Sequence, residues 1–178
     1  MLRGKAQLWI ALLLWSGCSV AVAQALPVNA FYGQYIGHGM SDAEVERDLS
    51  VTIGPTSAGG FFIAWATVSH KHKTMQRKDY EVRFVPSPRE HIYSSAMRTN
   101  VFGGQISLDP LKGDPYVWAR IKDSTLTVHS LTITAEGGYQ MQIYNRTLNE
   151  QGLLLEYRRL QSGEPLRQVT AQLVKVAD

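Results

Sequence analysis

The last third of the chain is a run of alternating segments separated by tight polar turns. YVWARI, TLTVHSLTIT, YQMQIYNR, LLLEYRRL and LRQVTAQLVKV are joined by KDS, AEGG, TLNEQG and QSGEP. Links this short, rich in Gly, Asp, Asn and Ser, leave little option but antiparallel neighbours. Five consecutive strands of this kind commit the chain to an all-β meander.

The earlier segments continue the pattern. FYGQYIGHG is a Gly-punctuated strand, DLSVTIG follows it, GGFFIAWATVS is strongly apolar, and DYEVRFV alternates with Tyr80, Val82 and Phe84 on one face. Residues 86–109 carry a weaker signal. MSDAEVERDL, Met40 to Leu49, is the best helical stretch. Ser41 would cap it with Glu44 three residues on, or the stretch is a polar connection after the first strand.

Alternation assigns the faces. Tyr139, Met141 and Ile143 share one side, as do Leu153, Leu155 and Tyr157 in the next segment and Val169, Ala171 and Leu173 in the last. Gln140, Gln142, Glu156, Arg158, Arg167 and Gln172 are read as the wet face. One dry and one wet face suit a single curved sheet. Closing such a sheet removes its edges, so the expected fold is an antiparallel up-and-down β-barrel of about 8–10 strands, with a β-sandwich as the alternative.

The first 25 residues read differently. Arg3 and Lys5 precede the wholly apolar Leu8 to Trp15, and Ala23-Gln24-Ala25 forms a small-residue cleavage site before Leu26. That is the pattern of a secretory signal peptide. The expected organisation is a leader over 1–25 and one β-barrel domain over 26–178, located in the periplasm or secreted. Leu14-Trp15-Ser16-Gly17-Cys18 resembles a bacterial lipobox. The alternative is therefore a membrane-anchored lipoprotein with Cys18 as its lipidation site.

Setting the leader aside changes the electrostatics. Of 18 basic residues Arg3 and Lys5 go with it, leaving 16 against 15 acidic, a net charge of +1. That balance excludes a nucleic-acid partner. Cys18 is the single cysteine, so the mature domain has neither a disulfide framework nor a thiolate nucleophile.

An exported chain of this length, opening on an aromatic-Gly strand and closing in a meander, is similar to the lipocalin and calycin group. The stretch Phe31-Tyr32-Gly33-Gln34-Tyr35 resembles the group's Gly-x-Trp start, with Tyr35 where the Trp stands. The resemblance implies a cup for a lipid or another apolar small molecule.

No motif for catalysis, phosphate cradling or cofactor binding is present, and Glu90-His91 would face opposite sides of a strand. The expected ligand cavity is bounded by Trp65, Phe84, Met141 and Tyr157. His129 would be a lone polar group inside it, and Arg159 would sit at its mouth, facing a ligand carboxylate or phosphate. The alternative is a structural or protein-interaction domain of the envelope with a solid core and no ligand.

SHKHKTMQRKDY reads as a solvated loop between two strands. His70, Lys71, His72, Lys73, Arg77 and Lys78 would give one barrel rim a positive charge suited to anionic headgroups. The paired histidines lack a third ligand and lie among cations, so no metal is expected there.

Overall fold

A computed structural model describes residues 24–41, 46–57, 59–71, 74–95, 98–99, 105–106 and 108–178. Cys18 and the leader through residue 23 lie outside the described residues, as do His72 and Lys73.

The strands are β1 (Gly33–Ser41), β2 (Glu46–Pro55), β3 (Phe61–Lys71), β4 (Thr74–Pro86), β5 (Ile92–Ser95), β6 (Arg98–Thr99), β7 (Gln105–Ile106), β8 (Tyr116–Lys122), β9 (Thr125–Ile133), β10 (Tyr139–Asn149), β11 (Gly152–Gln161) and β12 (Glu164–Ala177). Ten of them form a closed antiparallel barrel in which each strand pairs with the next along the chain. β5 passes directly to β8, and β12 returns to β1. β6 and β7 pair with each other as a separate two-stranded sheet. The fold is the up-and-down barrel expected from the meander.

Two expectations are corrected. Met40 and Ser41 end β1, and Glu46 to Leu49 begin β2, so the described ends of the helical stretch are strand. Met40 pairs with Glu46 across the two strands, and Glu44, the other half of the capping-box signal, lies outside the described residues. The basic stretch does lie at a hairpin end but is mostly strand rather than connecting loop, since β3 runs to Lys71 and β4 starts at Thr74 with His70 opposite Met75. Long basic side chains do not prevent backbone pairing when the flanking strands are already in register.

Turn chemistry explains the tightness of the meander. Ser162 and Gly163, between β11 and β12, both have positive φ. Two such residues match the right-handed strand twist of a two-residue hairpin.

One end of the barrel is filled. Phe31, Tyr35, Phe61, Ile63, Phe84 and Leu153 are almost completely buried there. Phe61 stacks on Phe84 with ring centroids 4.9 Å apart and meets Tyr93 edge-on at 5.0 Å. A short 3-10 turn, Val28–Phe31, crosses this floor. It is tied down by the Tyr35 hydroxyl, which donates to the Phe31 carbonyl at 3.0 Å, and by the Leu26 N–H, which donates to the Asp123 carbonyl at 2.9 Å. Above Tyr35, β1 carries Gly37 and Gly39. A Cβ at Gly37 would run into the Gln172 carbonyl oxygen, and one at Gly39 would crowd Ala171 and Leu49. β1 therefore lends backbone rather than side chains to the wall and leaves the space above the floor open.

Candidate functional site: a cationic, aromatic barrel interior

Each strand sends alternate residues inward. Moving from the floor, β10 presents Leu148, Arg146, Tyr144 and Gln142, and β11 presents Leu153, Leu155, Tyr157 and Arg159. β2 and β12 run the same way as β11, with Ile53, Val51 and Arg47 on β2 and Leu173, Val169 and Arg167 on β12. The apolar floor and the charged mouth thus arise from the order of residues along these strands. Between floor and mouth lies a cavity of about 650 Å³, within the range of about 300–1,000 Å³ usual for small-molecule sites.

An aromatic belt crosses its middle. Tyr80 stacks on Trp65 at 5.2 Å, Trp65 meets Tyr144 at 5.6 Å, and Tyr144 meets Tyr157 at 4.7 Å. Both the Tyr144 and Tyr157 hydroxyls donate to Gln142 Oε1, at 2.9 and 3.3 Å. Burial pushes both phenols up, so they stay neutral.

Arg146 is the most unusual side chain in the barrel. It is 1% exposed. Its guanidinium carbon lies 5.8 Å from the Trp65 ring and 5.5 Å from the Tyr144 ring. Nε and Nη1 have no hydrogen-bond partner among the described residues. Burial pulls the group down to about 10, so it is still cationic at neutral pH. An unpaired buried ion carries a desolvation penalty of several kcal/mol, which two cation–π contacts offset only by about 0.5–2 kcal/mol each.

Four more cations line the upper cavity. Arg159 and Arg167 are direct cross-strand partners. Arg47 donates from Nη1 to Ser69 Oγ at 2.8 Å, and burial and then Arg167 pull its guanidinium down. Lys78 is the fourth. Arg47 Nε and Arg159 Nε are buried without a partner among the described residues. Among the described residues, no Asp or Glu lines this cavity.

The expected site residues separate as follows. Trp65, Tyr157 and Arg159 line the cavity. Phe84 lies in the floor beneath it, packed on Phe61. Met141 is on the outer face, because β10 turns Gln140, Gln142, Tyr144 and Arg146 inward. His129 is also outside: Val128 faces in, and the His129 ring stacks on Trp118 at 4.7 Å, nearly parallel. Burial and then Arg120 lower its pKa. Arg167, read as wet, shares the inner face with Val169.

The basic rim divides as well. Lys78 points inward. Arg77 points outward and grips Asp79 through Nε and Nη2 at 2.8–3.0 Å. His70 Nε2 and His38 Nδ1 each bond one oxygen of Asp48 at 2.7 Å on the outer face, which holds the Asp48 carboxyl below its usual range. Of Lys71 only the strand position is described. Among the described residues no trio of His, Cys, Asp or Glu converges as a metal site.

No protein-family model matches the sequence, and no curated protein matches it.

Proposed function

We propose that this protein is an exported, lipocalin-like binding barrel that holds a small amphiphilic molecule bearing an acid group, such as an acidic lipid, in its interior. The observation that carries this reading is the composition of the cavity wall: among the described residues, five cations, an aromatic belt and no carboxylate. A buried cation without a counterion is costly in the empty protein, and a ligand carboxylate or phosphate would supply the missing partner. The aromatic faces would take its apolar body. The solid structural barrel considered above calls for a filled interior, and the open cavity favours the binding reading.

Export rests on the leader, with cleavage before Leu26 or lipidation at Cys18. The mass of the mature N-terminus distinguishes the two.

Two fluorophores of nearly equal shape test the binding reading. Anilinonaphthalene sulfonate carries an acid group, and N-phenylnaphthylamine does not. The sulfonate is expected to brighten on binding, to be displaced by a fatty acid, and to bind at least about tenfold more tightly than the neutral probe, a gap of about 1.4 kcal/mol. Failure of both probes to bind would overturn the reading.

A further inference from the structure

The cavity cations stand at two levels. Arg146 lies opposite Leu155 on the neighbouring strand, and Arg159 is four residues further along that strand toward the mouth. At a strand rise of about 3.3 Å per residue the two levels are about 13 Å apart along the strand, or about 10 Å along the axis of a barrel whose strands tilt by about 35–45°. The lower level holds Arg146, with two buried donors unpartnered. The upper level holds Arg159 and its cross-strand partner Arg167, together with Arg47 and Lys78. Tyr144 and Tyr157 lie between the levels, in contact with each other.

A single acid group reaches only one of these levels. If it enters first and meets Arg146, the paired mouth arginines keep their mutual repulsion. If it stays at the mouth, Arg146 keeps its unpartnered donors. Both are relieved when oxyanions occupy the two ends of one ligand and its apolar middle crosses the tyrosines.

We propose that the natural ligand carries two acid groups, one at each end of an apolar segment, bound head-first with the inner acid at Arg146 and the outer acid between Arg159 and Arg167. This rests on the binding reading above and adds the ligand's second charge and its orientation. The shared chemistry is the oxyanion, carboxylate or phosphate, at either end.

Calorimetric titration of the full mature protein with dodecanedioate, dodecanoate and hexanedioate tests this. Dodecanedioate is long enough to span the levels and hexanedioate is not. Dodecanedioate should bind at least about tenfold more tightly than dodecanoate, since one further charge-assisted contact contributes about 1.5–3 kcal/mol. Hexanedioate should show no such gain. The double variant Arg159→Gln/Arg167→Gln should abolish the advantage, so that it binds dodecanedioate no more tightly than dodecanoate. Equal binding of dodecanedioate and dodecanoate, or equal losses for both in the variant, would overturn the two-acid assignment while leaving the binding reading intact. Absence of binding by all three acids would overturn both.

Discussion

Arg146 and Trp65 meet across the barrel interior, the guanidinium carbon 5.8 Å from the indole ring, on the same inner wall that carries no carboxylate among the described residues. The contact partly solvates the cation and leaves two of its donors unmatched.

Replacing the charge should therefore stabilise the empty protein. Arg146→Met keeps much of the side-chain volume and removes an unsatisfied buried ion. It is expected to raise unfolding stability by about 1–3 kcal/mol, read from urea unfolding midpoints at unchanged slope. A loss of stability would mean that the contacts with Trp65 and Tyr144 outweigh desolvation. The residue would then be structural.

Floor and outer face should respond differently to substitution. Phe84 is 0% exposed and stacked on Phe61, so Phe84→Ala is expected to cost about 3–5 kcal/mol. Met141 shares the outer face of β10 with Ile143, and Met141→Gln is expected to stay within about 0.5 kcal/mol and to leave fluorophore binding unchanged. Thermal or urea melts of the two variants make the comparison.

That contrast shows where sequence reading succeeded and where it did not. The barrel was legible because turn chemistry and strand alternation are local. Leu153, Leu155 and Tyr157 were placed on one face, and they do face inward with Arg159. On β10 the same logic inverted the wall. Hydropathy assigns the apolar side of a strand to the interior, but an interior built around a charged cavity can be the more polar side. Met141 and Ile143 then fall outside while Gln142 and Arg146 fall inside. Arg146 shares its parity with Leu148 and Tyr144, and following that parity down to the floor would have placed it correctly. Arg47 shares the parity of Leu49 and Val51 on β2, and Lys78 that of Tyr80 and Val82 on β4, so alternation marks both as inward, but a hydropathy reading assigns long basic side chains near strand ends to solvent.

The buried phenols make stability pH-dependent at the alkaline end. Tyr144 and Tyr157 are both raised, chiefly by burial, whereas in the unfolded chain they ionise near about 10. Below that value both states hold the protons and the contribution is fully present. Above it the unfolded chain loses protons first, so stability falls as pH rises toward the folded values. Arg146, lowered to about 10, acts with the opposite sign over the same range. The stability difference between the parent and Tyr144→Phe/Tyr157→Phe cancels that term. It should be constant up to about pH 10 and shift against the parent above it. A flat difference through the alkaline range would contradict the burial of these hydroxyls.

The central claim is that an unpartnered buried arginine makes the interior select an acid. The most direct measurement is the dissociation constant of anilinonaphthalene sulfonate for the parent and for Arg146→Met, with N-phenylnaphthylamine as the uncharged control. The sulfonate should weaken by at least about tenfold in the variant, the loss of one charge-assisted contact of about 1.5–3 kcal/mol, while the neutral probe stays within about twofold. Unchanged sulfonate binding in a folded Arg146→Met protein would contradict the claim.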